Sequence, residues 1–366
     1  MILNKHSPIP KYFQLQTWLI EQIEKGAFKP GDKIPTEMEL VELTGLARAT
    51  VRHAVQNLVN MGHLTRKKGL GTFVLNQAAD PEKRTIVGIL IPDIRSGYAP
   101  ELARGAEDEA AKNKRSLILC NTDDSFIQAD FHADRLIENA VSAVIFIPTA
   151  ASDEKNRLVI EKFTRNNIHV VLADRTIPDV DTDYVTTDNF EGAYELTKYL
   201  INKGHRKIAI VVSTLFSTER QRLEGYEAAL NDHDIDIDPS IIIDDTGPFI
   251  KERYSQYARE LLERKRDITA VFAGHDRIAL LFYSAARQLG LSIPDDISLV
   301  GYDDLAFTTI SLTTMHQPIY EMGQESLKLI LSRIRGRITE PKHVVLKSHL
   351  VERTSVASLE ENKSNN

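Results

Sequence analysis

The chain has 366 residues, of which 42% are hydrophobic and 27% are charged, and its formal net charge is −7. These values are typical of an ordinary soluble protein with room for two or three structural units. No apolar run approaches the length of a membrane span, and the N-terminus lacks the hydrophobic core of a signal peptide. The single cysteine, Cys120, excludes an intramolecular disulfide, and we expect a cytoplasmic protein.

The charge is unevenly distributed along the chain. The first 76 residues contain ten Lys and Arg against six Asp and Glu, whereas the remainder contains 35 against 46. A basic N-terminal part on an acidic body is consistent with contact between DNA phosphates and the N-terminal part alone.

The N-terminal part reads as a helix-turn-helix. A helical period covers 9–25, and Thr36 with Glu39 forms a capping box that begins a second helix. Gly45 breaks that helix before the third, residues 45–58, whose apolar face is formed by Val51, Val55 and Leu58. Its other face carries two arginines four residues apart, Arg48 and Arg52. In a helix-turn-helix the later of the two helices, here the one at 45–58, can enter a DNA major groove.

A short hairpin follows this third helix. The apolar stretches 64–66 and 72–74 flank the basic, glycine-containing tip 67–71, at the place where a winged helix carries its wing. The competing interpretation is that Arg48 and Arg52 form a solvated helix face and that the lysines form a soluble loop. The occurrence of the helix and the hairpin in this order favours the winged helix. Polar residues 76–84 then form a predicted interdomain linker.

From Thr85 onward, strands alternate with helices. The predicted strands are 86–91, 116–120, 143–147, 169–173, 207–212, 269–273 and 298–302. Their continuous apolar character predicts parallel sheets covered by helices on both faces. About 270 residues of this pattern is long for one open sheet, so we predict two sheets with a cleft between them. The predicted fold is thus an α+β winged helix-turn-helix followed by an α/β two-subdomain unit.

These motifs resemble two known families. Residues 9–75, with the turn 30–37 and the tip 68–72, resemble the winged-helix domain of the GntR family. The region from Thr85 to Ala357 resembles the effector-binding region of LacI-type regulators, which is itself similar to periplasmic sugar-binding proteins. That resemblance is carried in order by 101–105, 188–193, 204–209, 300–304 and 312–318. The combination is similar to arabinose-type repressors.

The resemblance implies the domain organisation and the DNA contacts. We expect a DNA-binding domain at 1–75, a linker at 76–84, an effector-binding and dimerisation domain at 85–357 and a polar tail at 358–366. The chain should cross between subdomains near Asp188, Pro318 and Pro341. The expected DNA-binding residues are Thr36, Arg48, Thr50, Arg52, Arg66, Lys67, Lys68 and Gly69.

The effector residues are expected where the strands of the sheets end, because ligands of parallel α/β sheets bind there. Charged and aromatic side chains at these positions suit a ligand with many hydroxyl groups. The resemblance additionally assigns effector contact to Arg222, Asp276 and Asp303, with His275 departing from the family's asparagine. The complete expected set is Arg95, Tyr98, Asp174, Arg175, Arg222, His275, Asp276 and Asp303.

The predicted function is a transcription repressor, acting as a homodimer on operator DNA and responding to a small molecule such as a sugar. Two other classes are weighed against it: a sugar-binding protein of the transport type and a sugar-processing enzyme. The chain lacks Gly-x-Ser-x-Gly, Walker and His-Glu-x-x-His motifs, so we expect no enzyme, no cofactor and no metal site.

Overall fold

A computed structural model describes residues 9–29, 31–60, 63–67, 69–74, 85–95, 97–264, 267–306 and 310–359. The N-terminal unit contains three helices and an antiparallel hairpin, with the bounds α1 Lys11–Glu24, α2 Glu37–Thr44, α3 Arg48–Asn60, β1 Leu64–Lys67 and β2 Gly71–Val74. The predicted linker at 76–84, Lys68, and residues 360–366 of the predicted tail lie outside the described residues.

Local hydrogen bonds set the ends of α2. The Glu39 N–H donates to Thr36 Oγ1 at 3.3 Å, and the Thr36 N–H donates to Glu39 Oε2 at 2.7 Å, so the predicted capping box is confirmed. Gly45 ends the helix with φ +69°, a left-handed conformation that glycine adopts without steric cost. The third helix begins at Arg48, three residues after its predicted start.

Two six-stranded sheets form the body. The first lobe contains β3 Ile86–Ile91, β4 Ser116–Asn121, β5 Ala143–Phe146, β6 His169–Ala173, β7 Asp183–Thr187 and β13 His343–Leu346. The second lobe contains β8 Ile208–Val212, β9 Ile242–Asp244, β10 Ala270–Ala273, β11 Ser298–Asp303, β12 Thr313–His316 and β14 His349–Val351. Their orders are β13-β7-β6-β5-β3-β4 and β14-β12-β11-β10-β8-β9, parallel throughout except for the antiparallel edge strand β14.

Helices cover these sheets. Those of the first lobe are α4 Ala99–Lys112, α5 Phe126–Glu138, α6 Asp153–Thr164 and α11 Ile319–Ile334. Those of the second are α7 Asn189–Asn202, α8 Ser217–Asp232, α9 Lys251–Arg264 and α10 Asp276–Gln288.

The predicted fold class is confirmed. The pattern missed β7, β9, β12, β13 and β14, which are short strands without a long apolar run. No helix in the described part of the chain has the length and apolar character needed to span a bilayer.

The chain passes between the lobes at three places. It crosses between β7 and α7 at Asp188, returns between β12 and α11 at 317–318, and crosses again between β13 and β14 at 347–348. The third crossing was expected near Pro341. It comes later because His343–Leu346 still pairs with β7 as the edge strand of the first lobe.

Candidate functional site

Helix α3 divides its side chains between the core and one exposed surface. Val51, Val55 and Leu58 are at most 1% exposed and pack in the core of the N-terminal unit. Arg48 and Arg52 lie on the outside, and the side chain of Arg52 is 57% exposed. The buried face thereby fixes the helix while both guanidinium groups remain accessible to a major groove.

One carboxylate holds two of the predicted DNA-binding arginines together. Glu37, the first residue of α2, accepts hydrogen bonds from Arg52 Nε at 3.2 Å and from Arg66 Nη2 at 2.7 Å. Arg52 belongs to α3 and Arg66 to β1, so Glu37 joins the third helix to the hairpin. The sequence alone does not reveal this role of Glu37, because only the fold brings these three elements together.

The remaining predicted DNA-binding residues surround this cluster or the hairpin tip. Thr36 is exposed and caps α2, and Thr50 is half-buried in the first turn of α3. The Lys67 ammonium lies 4.8 Å from the centre of the Phe73 ring, and Gly69 occupies the turn with φ +77°. Lys68 lies outside the described residues, so the structure says nothing about its position.

We expect Glu37→Gln to lower the ratio of operator affinity to non-specific DNA affinity. Losing the negative charge strengthens phosphate contacts with any DNA sequence, whereas losing the carboxylate leaves Arg52 and Arg66 less well positioned for bases. Of these two arginines, Arg52 is the one expected to contact bases and Arg66 the one expected to contact phosphate. The measurement is a pair of binding titrations, on operator and on unrelated DNA, at the same salt concentration. Glu42→Gln, on the same helix and exposed, is the matched control. An equal gain on both DNAs in Glu37→Gln would contradict the positioning role.

A second candidate site is the interlobe cavity, which encloses about 90 Å³ between the two sheets. Its walls are Pro92, Asp93, Gly97, Tyr98, Ala99, Asp124, Asp174, Arg175, Phe216, Thr218, Glu219, Arg222, Phe249, His275, Arg277, Asp303 and Gln317. Most of these residues follow the carboxyl ends of β3, β4, β6, β8, β10 and β11. The cavity therefore lies where parallel sheets present their loops to a ligand.

Six of the eight expected effector residues line this cavity, namely Tyr98, Asp174, Arg175, Arg222, His275 and Asp303. Arg95 does not, since its side chain is 79% exposed and pairs with the neighbouring Asp93. Asp276 does not line it either. Its carboxylate accepts hydrogen bonds from the Leu305 N–H at 2.8 Å and from Thr314 Oγ1 at 2.7 Å, which gives it a structural role in the second lobe.

Two cavity arginines belong to different lobes, Arg175 to the first and Arg222 to the second, and each is fixed by its contacts. Arg175 Nη1 donates to Asp124 Oδ1 at 2.5 Å and to the Pro148 carbonyl at 2.8 Å, and its guanidinium lies 3.8 Å from the centre of the Phe216 ring. Arg222 Nη1 donates to the Gly274 carbonyl at 2.7 Å, and its guanidinium lies 3.7 Å from the centre of the Tyr302 ring. Both cations are thereby fixed in place before any ligand arrives.

Burial disfavours charge on the acids of the cavity. It raises the pKa of Asp174 and raises that of Asp303 well above its ordinary value, with Arg175 and Arg222 respectively opposing the effect. Burial also raises the pKa of Glu219 to about 7, although Arg222 and the Ser213 N–H favour its charged form. Burial thus favours the protonated form of these carboxyl groups, in which a carboxyl can donate as well as accept a hydrogen bond.

His275 is neutral and has a defined orientation. Burial lowers the pKa of its imidazole well below the ordinary value, with the cations Arg277 and Arg222 adding to the effect. The Ile278 N–H donates to His275 Nδ1 at 3.3 Å, as expected for the N-cap of α10. Because Nδ1 accepts, we assign the ring proton to Nε2, which makes this residue a hydrogen-bond donor in the cavity.

Two polar groups in the cavity lack hydrogen-bond partners among the described residues. The buried Tyr98 hydroxyl lies beside the Asp174 carboxyl without a well-aligned hydrogen bond. Arg277 lies against the Phe249 ring, 4.2 Å from its centre, and makes no side-chain hydrogen bond. A buried donor without a partner costs free energy, so the Tyr98 hydroxyl indicates a place for a ligand oxygen, whereas the half-buried Arg277 guanidinium can also be solvated.

Two cavity residues at this edge of the sheets have left-handed backbone conformations. Asp174 has φ +63° and Asp303 has φ +114°, left-handed values that favour glycine, and both residues follow or end a central strand. Such strain clusters at ligand sites, where the surrounding structure enforces it. The conformation turns both carboxyl groups into the cavity wall.

Several wall residues were missed from the sequence, namely Asp124, Phe216, Glu219, Phe249, Arg277 and Gln317. Asp124 closely follows a predicted strand, as Asp174 does, and that position is the signal that could have identified it. Glu219 and Phe249 carry no local pattern that distinguishes them from other helix and loop residues.

Comparisons with known proteins identify the families of both parts of the chain. Residues 11–74 match the family described as bacterial regulatory proteins, gntR family, and residues 197–356 match the periplasmic binding protein-like domain. The chain is 30% identical over 364 residues to the arabinose metabolism transcriptional repressor of Geobacillus stearothermophilus, covering 97% of this chain and all of the relative. It is 29% identical to the ribose operon repressor of Escherichia coli strain K12, covering 87% of this chain and 99% of that protein.

Solved structures give the same result for the body. A LacI family transcriptional regulator from Enterococcus faecium with bound ribose has a TM-score of 0.65 and 31% identity, covering 75% of this chain and 99% of that chain. The transcription regulator CcpA of Lactococcus lactis has a TM-score of 0.68 and 27% identity, covering 75% of this chain and all of that one.

Proposed function

Since the chain belongs to the family of transcription regulators that join a gntR-type winged helix to a periplasmic-binding-protein-like body, we propose that it is a repressor released from its operator by a sugar. The relatives above are named for the control of arabinose and ribose genes. Regulation through a ligand, without turnover, is the activity that this combination of a DNA-binding surface and an interlobe cavity supports.

The DNA-binding half of the proposal is supported by the surface around Glu37. Arg48 and Arg52 are exposed on α3, and Arg66 joins them through the Glu37 carboxylate. We assign base contacts to Arg48 and Arg52 and phosphate contacts to Arg66 and the Lys67–Gly69 tip, with Thr36 and Thr50 beside them. A bidentate arginine contact with guanine is worth about 1–3 kcal/mol of discrimination between bases.

The proposal of an effector rests mainly on the Tyr98 hydroxyl. This buried group lies beside Asp174 in the cavity between the lobes, without a hydrogen-bond partner among the described residues. Sugar hydroxyls both donate and accept, which suits the mixture of carboxyl groups, arginines and the His275 N–H. The carboxyl groups outnumber the arginines along the walls, since Asp93, Asp124, Asp174, Glu219 and Asp303 face Arg175, Arg222 and Arg277. We therefore propose a neutral sugar as the effector.

We further propose that the protein acts as a homodimer in the cytoplasm, where chromosomal DNA is found. One winged helix makes few base contacts, and coupling two of them makes the second contact effectively intramolecular. Sedimentation of the operator complex measures this directly, and one chain bound to each operator would contradict it.

A thermal-shift screen of neutral sugars, followed by operator titration, tests the proposed function. The effector raises the melting temperature because it binds only the native state. The same sugar should weaken operator binding, and operator DNA should weaken sugar binding by the same factor. Specific DNA binding that no sugar changes would contradict regulation by sugar. Sugar binding without specific DNA binding would instead favour a sugar-binding protein that regulates no operator.

A further inference from the structure

Five buried side chains form a closed ring beside the interlobe cavity. Arg222 Nε donates to Asn189 Oδ1 at 2.9 Å, and Asn189 Nδ2 donates to the Thr187 carbonyl at 3.0 Å. Thr187 Oγ1 donates to Gln317 Oε1 at 2.5 Å, and Gln317 Nε2 donates to Asp303 Oδ1 at 2.7 Å. Arg222 Nη2 lies 3.8 Å from Asp303 Oδ1 and closes the ring. We call this set the hinge ring.

The hinge ring includes residues at two of the three crossings between lobes. Thr187 ends β7 and Asn189 begins α7, so they flank the first crossing at Asp188. Gln317 lies at the second crossing, directly before Pro318 and α11. All five ring residues are at most 6% exposed, so water does not compete for their hydrogen bonds. The ring therefore constrains the backbone where a rotation of the lobes must take place.

The ring has one weak connection, and that connection faces the cavity. Four contacts are hydrogen bonds of 2.5–3.0 Å, whereas the Arg222–Asp303 separation of 3.8 Å is too long for one. Arg222 and Asp303 line the cavity, while Thr187 and Asn189 do not. A ligand can thus change the separation of the first two residues, and the other contacts lead from them to the crossings.

We propose that the hinge ring transmits effector binding to the relative orientation of the lobes, with Thr187, Asn189 and Gln317 as positioning residues. A ligand that bridges Arg222 and Asp303 shifts both side chains, and the hydrogen bonds carry that shift to Asn189 and Gln317 beside the crossings. The inference rests on the proposed function, because it requires an effector in the cavity. The ring is the physical link that lets the two lobe arrangements differ in effector affinity.

Thr187→Val tests the ring with a nearly isosteric change outside the cavity. It removes the hydroxyl that donates to Gln317, which is itself a wall residue, and it changes no wall side chain directly. In allosteric proteins, the factor by which an effector weakens binding at the other site is commonly on the order of 5–150. In Thr187→Val this factor for sugar and operator should fall by about fivefold, because one hydrogen bond contributes about that much. Sugar affinity without DNA should stay within about threefold of the wild type, because no direct contact is lost.

Two matched variants separate this effect from a general loss of stability. Thr187→Ser keeps the hydroxyl and should retain the wild-type coupling factor. Thr197→Val removes a buried hydroxyl of α7 for which the described residues offer no hydrogen-bond partner, and it should also leave the factor unchanged. If Thr187→Val does not fold, Asn189→Ala breaks the ring at the next position and should lower the factor in the same way.

The outcomes distinguish the ring from the proposed function. A wild-type protein whose operator binding no sugar changes would defeat the proposed function, and the ring proposal with it. A wild type that responds to sugar, together with an unchanged coupling factor in folded Thr187→Val or Asn189→Ala, would overturn the ring alone. A lowered factor in Thr187→Val that Thr187→Ser does not restore would also overturn it.

Discussion

Replacing Arg222 by alanine is expected to produce a repressor that holds its operator and no longer releases it with sugar. The substitution removes a cavity-facing cation and breaks the hinge ring at its connection with Asp303. Hydrogen bonds to charged groups contribute about 1.5–3 kcal/mol, so sugar affinity should fall about 10- to 100-fold. An operator titration with and without sugar, together with calorimetric measurement of sugar affinity, checks both parts.

Arg220→Ala is the control for this variant. Arg220 belongs to the same helix, α8, but donates to the Thr214 carbonyl at 2.9 Å and does not line the cavity. It should respond to sugar as the wild type does.

Arg222→Ala also affects stability. Removing one partner of a buried ion pair costs about 3–5 kcal/mol where the other charge persists. Burial raises the pKa of Asp303, so this carboxyl can take up a proton and the cost is smaller. Release at the wild-type sugar concentration would rule out Arg222 as an effector contact.

Glu219→Gln is expected to stabilise the protein at alkaline pH and to leave it unchanged at acidic pH. The unfolded carboxyl ionises near its ordinary pKa of 4.5, whereas burial raises the folded pKa to about 7. Between these pH values the folded protein keeps a proton that the unfolded chain has lost. The free energy of unfolding therefore falls as the pH rises through this window, by at most about 3 kcal/mol, and the loss is complete above pH 7.

Glutamine resembles the neutral carboxyl group and can still accept the Ser213 N–H, which donates to Glu219 Oε2 at 2.6 Å. Urea unfolding of both proteins from pH 4.5 to 8 measures the difference directly. Glu224→Gln, an exposed position on the same helix, is the control and should show no such pH-dependent gain. A gain in stability of Glu219→Gln that is equal at all pH values would show that ionisation of Glu219 is not its cause.

The sequence by itself determined the elements whose causes are local. The Thr36–Glu39 capping box, the left-handed Gly45 and the apolar face of α3 depend on residues within a few positions of one another. The seven apolar runs became strands for the same reason, and six of them are buried, whereas β4 is a partly exposed edge strand. The two families then followed from motifs that stand close together in the chain.

Only the tertiary structure decided what each side chain near the cavity does. Asp276 and Asp303 both occur near strand ends. The Asp276 carboxylate accepts hydrogen bonds from Leu305 and Thr314, whereas Asp303 lines the cavity. Thr187 and Gln317, which join two crossings, are separated by 130 positions in the chain. No local pattern encodes such a pairing, because the partner and burial of a side chain are set by where distant elements pack.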